Sequence, residues 1–235
     1  MSLYIISDLH LALFPGADKP MDPFGPRWTD HVSRLEKAWN EEIGGEDTVI
    51  LGGDLSWGLK LSEAQTDLDW IHARPGKKIL LKGNHDLWWN GITKLNAMYE
   101  DMHFLQNDHV HREGVYICGS RGWLTPDNDD FTPEDEKIYR RELLRLENSL
   151  REARAAREEE GDDPIIAVLH YPPVSDIRRF SGFQQLFEDY GVKDVYYGHI
   201  HGEEGFEKAI KGEYHGVTYH LTSLDYLNCR PMKIK

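Results

Sequence analysis

Short runs of apolar residues recur along the chain, and each is followed by glycine or polar residues. Runs that are apolar at consecutive positions, rather than at alternating ones, are typical of strands buried on both faces. They predict seven strands, at Leu3–Ile6, Thr48–Leu51, Lys78–Leu81, Val115–Cys118, Ile165–Leu169, Asp194–Tyr197 and Val217–Thr222. Helix-like stretches stand between several of them, at Thr29–Glu42, Ser62–His72, Gly91–Tyr99 and Gly182–Tyr190. This alternation of strands and helices predicts an α/β domain.

A longer helix is indicated from Thr132 onward, with Pro133 in its first turn. Apolar residues then follow at spacings of four and three, at Tyr139, Leu143, Leu146, Leu150 and Ala153. The favoured interpretation is a surface helix packed on the core. The alternative is a lid or a contact between two subunits, which would make a homodimer through residues 132–160. The sequence shows no internal repeat and no Ser- or Pro-rich linker, so we expect one domain over 1–235 with an acidic helical insertion at about 124–163.

Composition and charge narrow the class of protein. The chain has 235 residues, of which 40% are hydrophobic, which suits one packed domain. Its formal net charge is −14, and 14 acidic against seven basic residues lie between Asp127 and Asp163. A field of this sign repels phosphate backbones and anionic membranes, so we expect neither nucleic-acid coating nor membrane binding. A small anionic substrate is still compatible with a site that carries its own positive charge.

Cysteine use and the longest apolar run favour a cytoplasmic protein. Cys118 and Cys229 cannot make a disulfide framework, which indicates a reducing compartment. The first apolar run has no basic region before it and meets Asp8 early, unlike a signal peptide. The longest aliphatic run, Ile165–Leu169, is too short to span a bilayer.

Metal-ligand residue types follow five of the predicted strands directly. Carboxyl ends of parallel strands meet at one edge of an open α/β sheet, so these side chains are expected to converge. Each short motif alone is usually a solvated loop or a turn. Their shared position at strand ends predicts a metal site, built from Asp8, His10, Asp54, Asn84, His170, His199 and His201.

The ligand types constrain the metal. Imidazole, carboxylate and amide oxygen without thiolate suit Mn, Fe, Zn, Co or Ni, and there are too many ligands for one open site. Asp8, His10 and His201 can hold one ion, while Asn84, His170 and His199 can hold a second, with Asp54 between them. Two ions about 3.5–4 Å apart stabilise displacement at phosphorus, with a bridging hydroxide as the attacking group.

His85 remains outside both ligand sets. It is either a packing residue or the proton donor to the leaving-group oxygen, and we favour the donor.

At this point the sequence resembles a known family. Asp8-Leu9-His10, Gly53-Asp54, Gly83-Asn84-His85-Asp86, His170 and Gly198-His199-Ile200-His201 are similar to the five blocks of calcineurin-like metallophosphoesterases, in the family's order. The resemblance implies a four-layer α/β/β/α sandwich with two central mixed β-sheets and a dinuclear site at one rim. It implies the same two ligand sets, with Asp54 shared, and makes His85 the general acid.

The resemblance also implies the reaction class. We expect hydrolysis of a phosphomono- or phosphodiester of a small or medium-sized substrate, with a lean towards a nucleotide-like one and with Asn84 and His85 as phosphate contacts. The alternatives are a Ser/Thr-type phosphoprotein phosphatase and a metal-binding interaction module without turnover.

The second block departs from the family pattern. Members resembling Ser/Thr protein phosphatases continue it as Gly-Asp-x-x-Asp-Arg-Gly, where the second Asp orients the catalytic histidine and the Arg binds phosphate. Here Trp57 and Gly58 stand at those two positions. Asp86 or a distant carboxylate is therefore expected to orient His85. The candidate cations for phosphate are Arg121, Arg178 and Arg179, although each is individually more typical of a surface arginine.

Overall fold

The structure is a computed structural model that describes residues 1–175 and 180–235. The predicted phosphate contacts Arg178 and Arg179 lie outside the described residues. The strands are β1 Leu3–Ile6, β2 Thr48–Leu51, β3 Lys77–Leu80, β4 Met102–Phe104, β5 His109–Arg112, β6 Val115–Ser120, β7 Ile165–Leu169, β8 Asp194–Tyr197, β9 Gly212–Tyr214, β10 Val217–Leu221 and β11 Met232–Lys233. The α-helices are α1 His31–Glu42, α2 Leu61–His72, α3 Ile92–Leu95, α4 Pro133–Glu160, α5 Gly182–Tyr190 and α6 Gly202–Lys208.

The strands form two mixed sheets. The first has the order β11-β1-β2-β3-β4, and the second has the order β5-β6-β7-β8-β10-β9. The central strands of both sheets are parallel, while β11, β5 and β9 add antiparallel edges. Parallel neighbours end at the same edge, which brings the loops after β1, β2, β3, β7 and β8 together.

Alternating faces of the strands fill three apolar layers. On β1, Leu3 and Ile5 face the second sheet and pack with a cluster that includes Ile117 and Val168. Tyr4 and Ile6 face the other way, in the cluster that contains Leu35 of α1. The outer face of the second sheet packs against α4 and α5. This confirms the four-layer α/β/β/α sandwich.

The buried strands agree closely with the sequence, and the edge elements do not. The strands at Leu3–Ile6, Thr48–Leu51, Ile165–Leu169 and Asp194–Tyr197 are as predicted. The strand predicted at Lys78–Leu81 lies one residue earlier, at Lys77–Leu80. The edge strands β4, β5, β9 and β11 and the short helix α6 were not predicted. The helix expected over Gly91–Tyr99 is limited to Ile92–Leu95.

The acidic helix α4 packs on its own chain. Thr132 caps it by accepting a hydrogen bond from the backbone of Asp135, and its apolar stripe is buried in the cluster that contains Phe183 of α5. The surface-helix interpretation accounts for the stripe. Leu144 is a large hydrophobic residue exposed on α4, and the alternative of a homodimer through residues 132–160 stays a prediction.

None of the helices in the described residues is long and apolar enough to cross a membrane.

Candidate metal centre

The seven predicted ligands converge where the two sheets meet. The backbone N–H of Ser7 donates to the carbonyl of Thr222 at 2.8 Å, and that of Asp8 donates to Gly53 at 2.9 Å. These hydrogen bonds join the ends of β1, β2 and β10. His, Asp and Asn side chains from five loops therefore lie at one rim, as the sequence predicts.

The first group consists of Asp8, His10 and His201, whose ligand atoms all lie within 4.8 Å of one another. His201 Nε2 lies 3.7 Å from Asp8 Oδ1. Its other ring nitrogen, Nδ1, lies 2.9 Å from the carboxylate of Asp225, which is buried. A carboxylate on the far nitrogen fixes the orientation of a metal-binding imidazole.

Asp225 is a candidate site residue that the sequence analysis missed. It follows β10 after three residues, so the same rule that located the other ligands, polar groups just after buried strands, would have indicated it.

The second group consists of Asp54, His170 and His199, and its ligand atoms also lie within 4.8 Å of one another. Asn84 joins it, because its Oδ1 lies 2.8 Å from His170 Nε2. His170 Nδ1 lies 3.1 Å from the carbonyl oxygen of Gly52, which leaves Nε2 to face the group. Tyr171 packs on the His199 ring at a centroid distance of 4.0 Å.

Asp54 lies between the two groups. Its Oδ2 is 3.3 Å from His170 Nε2 and 3.8 Å from His10 Nε2, while its Oδ1 accepts a hydrogen bond from the backbone of His85 at 2.8 Å. A carboxylate that faces an imidazole of each group could bind the metal ions of both groups. Room for it depends on Gly83, since a β-carbon there would lie 2.2 Å from the Asp54 backbone nitrogen.

Four of the seven candidate ligands have left-handed backbone conformations. The φ angles are 63° at Asp8, 46° at His10, 53° at Asp54 and 70° at His199. This region is unfavourable for residues with a β-carbon and is occupied where the surroundings enforce it, often at functional sites. The four conformations turn the chain sharply after the strands and aim the side chains at one point.

The buried carboxylates of the site face imidazoles. Asp8 and Asp54 are almost fully buried, and in the described part of the chain their ion-pair partners are histidines rather than lysine or arginine. Burial raises the pKa of Asp8. Burial also lowers the pKa of His170, but the negative charge of Asp54, its hydrogen bond and the charge of Asp8 outweigh it and raise that pKa to about 9. A proton on His170 therefore neutralises part of the carboxylate charge that a bound metal ion would otherwise neutralise.

The donors fit a pair of borderline ions. Burial lowers the pKa of His10 well below its ordinary value and lowers that of His199 to about 3, so both imidazoles are neutral and able to bind a metal. The set contains imidazole, carboxylate and amide oxygens without thiolate, since Cys118 and Cys229 are buried elsewhere.

His85 is held beside Asp54 by an aromatic ring. Its Nε2 lies 3.9 Å from Asp54 Oδ2, and its ring lies 4.3 Å from that of Trp57. Trp57 also stacks on His10 at 4.9 Å. The Trp57 indole thus contacts His85 from the sequence position at which the family pattern has an orienting aspartate.

Asp86 was expected to orient His85, but its carboxylate faces other donors. It accepts hydrogen bonds from the backbones of Leu55, Ser56 and Gly83 and from the indole N–H of Trp88. These hydrogen bonds tie the loop after β3 to the loop after β2, and the orientation of His85 by Asp86 or by a distant carboxylate stays a prediction. Trp88 and Trp89 are buried in the core rather than free to stack on a substrate.

Arg121 points away from the ligands. Its guanidinium pairs with Glu142 of α4 at 3.4 Å and packs over Trp123, while its backbone carbonyl accepts hydrogen bonds from His170 and Tyr171. It supports the His170 loop through its backbone. Its predicted contact with substrate stays a prediction that this arrangement does not support.

A cavity of about 280 Å³ opens beside the ligands. Its polar lining consists of His10, Asp54, His85, His199 and His201. Its apolar lining consists of Met21, Phe24, Trp28 and Trp57. Three of these apolar residues come from the loop after β1, which the sequence analysis did not assign to the site.

Comparison with known proteins agrees with this geometry. The family model of calcineurin-like phosphoesterases matches residues 1–203. The Gene 66 protein of Mycobacterium phage D29 is 41% identical over 86 residues, which cover 36% of this chain and 40% of that protein. A Helicobacter pylori protein named as an uncharacterized metallophosphoesterase is 24% identical over 183 residues, covering 74% of this chain and 42% of its own length. The chain thus spans less than half the length of these relatives.

A solved structure shares the fold. A protein of unknown function from Aquifex aeolicus superimposes with a TM-score of 0.51 at 15% sequence identity, covering 99% of this chain and 95% of that one. Two mixed sheets between helices, with Asp, His and Asn residues at their common rim, are the architecture of the metallophosphoesterase fold. The chain belongs to the calcineurin-like phosphoesterase family.

Proposed function

We propose that the protein hydrolyses a phosphomono- or phosphodiester of a small or medium-sized substrate at a dinuclear metal centre. The observation that carries the proposal is the pair of ligand groups that share Asp54. Asp8, His10 and His201 would hold one ion, and Asn84, His170 and His199 would hold the other. Bound ions supply the positive charge that stabilises a phosphoryl group and lower the pKa of water.

His85 is the proposed proton donor. Its Nε2 lies at the cavity beside Asp54, and the hydrogen bond from its backbone to Asp54 Oδ1 fixes the loop that carries it. A proton transferred from Nε2 to the ester oxygen lets the alcohol leave without developing a full negative charge. Asn84, one residue earlier, faces His170 with its amide oxygen and is the proposed second contact to phosphate.

The sequence beside the site favours a small ester over a phosphoprotein. Cavities of about 280 and 540 Å³ both border His199, of the size of small-molecule sites at roughly 300–1,000 Å³. The Asp and Arg of the phosphoprotein phosphatase pattern are replaced by Trp57 and Gly58. We keep the lean towards a nucleotide-like substrate, and a cytoplasmic location, as parts of this proposal.

The test compares hydrolysis of bis-p-nitrophenyl phosphate and p-nitrophenyl phosphate by purified protein reconstituted with Mn²⁺. Asp54→Asn is expected to abolish turnover and to lower the bound metal found by elemental analysis. His85→Ala should reduce kcat by roughly 10²–10⁴-fold on an alkyl ester, which needs a proton donor, and by much less on the nitrophenyl esters. His103→Ala is the control, because His103 lies on β4 and pairs with Asp108 outside the site.

Two results would contradict the proposal. Protein that binds two metal equivalents and hydrolyses neither ester would be a metal-binding module without turnover. An unchanged kcat of His85→Ala on the alkyl ester would remove His85 as the acid while leaving the metal centre in place.

A further inference from the structure

The cavity beside the ligands has two chemically different halves. Its floor carries the imidazoles and carboxylate of the proposed metal centre. Its wall carries Met21, Phe24, Trp28 and Trp57, and the Lys19 ammonium lies 5.4 Å from the centroid of the Trp57 ring. A ligand that fills this cavity therefore has one end that suits the metal centre and another that suits an apolar, mostly aromatic surface.

Phe24 is exposed at this wall. The side chain belongs to a short 3-10 helix, Asp22–Phe24, and is 66% exposed although it is large and aromatic. Its neighbour along the wall, Trp28, is only 1% exposed and packs against His10 and His201. The wall is thus anchored at Trp28 and open at Phe24.

The position of His85 determines which half of an ester meets the wall. The phosphoryl group would bind at the ions that Asp54 would share, and the leaving oxygen must face His85 to receive its proton. His85 packs directly on Trp57 at 4.3 Å. The group attached to the leaving oxygen therefore extends along Trp57 and towards Phe24.

We propose that the site selects phosphoesters whose alcohol carries an aromatic group close to the ester oxygen, held against Phe24 and Trp57. This inference rests on the proposed function and specifies its substrate class. The aromatic group on the leaving oxygen would meet the apolar wall, while the anionic phosphoryl end would meet the proposed metal centre. Pockets with an apolar wall and a few polar groups at one end commonly orient their ligands in this way.

The expected selectivity follows from the exposed surface of Phe24. A phenylalanine side chain buries about 150–250 Å² when fully covered, and covering half of what Phe24 exposes corresponds to about tenfold in affinity. The probes are phenylphosphonate and methylphosphonate, which carry the same anionic group and have no ester oxygen to cleave. Their dissociation constants are measured by titration calorimetry with the Mn²⁺-loaded protein.

The wild-type protein should bind phenylphosphonate about tenfold more tightly than methylphosphonate. Phe24→Ala should reduce this ratio to about two, and Phe24→Leu should give an intermediate value because leucine retains part of the apolar surface. Leu144→Ala is the matched control, since it removes a similarly exposed side chain, 55% accessible, from the outer surface of α4. Its ratio should equal that of the wild type.

The outcomes separate this inference from the proposed function. A wild-type ratio near one, or a ratio unaffected by Phe24→Ala, overturns the aromatic selectivity and leaves the esterase proposal intact. A tenfold ratio lost in Phe24→Ala supports the selectivity even if the protein hydrolyses no ester. Failure of the metal-loaded protein to bind either phosphonate overturns both.

Discussion

The left-handed backbone at His199 makes a prediction about stability that is independent of catalysis. His199 has a φ of 70° and belongs to the second ligand group, together with His170, which lies outside the left-handed region. Both residues lose the same imidazole when replaced by alanine or by glycine. The difference between the alanine and glycine variants at each position therefore reports the backbone conformation.

The two differences are expected to have opposite signs. At His199, alanine keeps the left-handed backbone, which costs about 1–2 kcal/mol relative to glycine. Alanine also lowers the conformational entropy of the unfolded chain, which stabilises the protein by about 0.4–1 kcal/mol and offsets part of that cost. His199→Gly should then be more stable than His199→Ala by about 0.5–1 kcal/mol. At His170, without this strain, His170→Gly should be less stable than His170→Ala by about 0.4–1 kcal/mol.

The assay is urea unfolding of the metal-free proteins in EDTA, followed by tryptophan fluorescence. Chelation keeps differences in metal binding out of the comparison. If the glycine variant is the less stable one at both positions, by similar amounts, the left-handed conformation of His199 stores no strain. The argument that the fold forces these ligands into place would then be wrong.

Three further predictions follow from the site. Gly83→Ala should abolish metal binding and destabilise the fold, because its β-carbon would meet the Asp54 backbone, whereas Gly45→Ala, with open space around it, should be tolerated in thermal melts and metal analysis. Metal loading at pH 7.5 should release the proton of His170, because its pKa is raised to about 9. The number of protons released should fall to zero as the pH rises above that value. Calorimetry in two buffers of different ionisation enthalpy measures this number. Asp225→Asn should weaken binding of one metal equivalent about 10–100-fold in competition with a chelator, because His201 loses its carboxylate partner, and equal affinity of variant and wild type would contradict this role.

The sequence predicts the central strands and the ligands that follow them for one reason. The strands that bear ligands are buried on both faces, so their apolar runs begin and end sharply. Asp8, Asp54 and His170 stand within three residues after such runs. Parallel pairing then determines that the strand ends meet. Position along the chain is enough to locate these groups.

Edge strands and the cavity wall could not be derived in this way. The edge strand β5, His109–Arg112, is only partly buried and carries polar residues, so it has no continuous apolar run. Phe24 and Trp28 lie in a long loop whose path depends on contacts with His10 and His201 rather than on local periodicity. The direction of the Arg121 side chain likewise depends on Glu142, 21 residues away on α4.

Trp57 connects the departure from the family pattern with the shape of the site. An aspartate at this position would hold the histidine by a charged hydrogen bond and favour its protonated form. Trp57 instead holds His85 by ring contact and, on the same residue, supplies apolar surface to the cavity. Among the described residues, no carboxylate is hydrogen-bonded to the His85 ring, and burial lowers the pKa of His85. A smaller fraction of His85 is therefore protonated at neutral pH than of an imidazole that is hydrogen-bonded to a carboxylate.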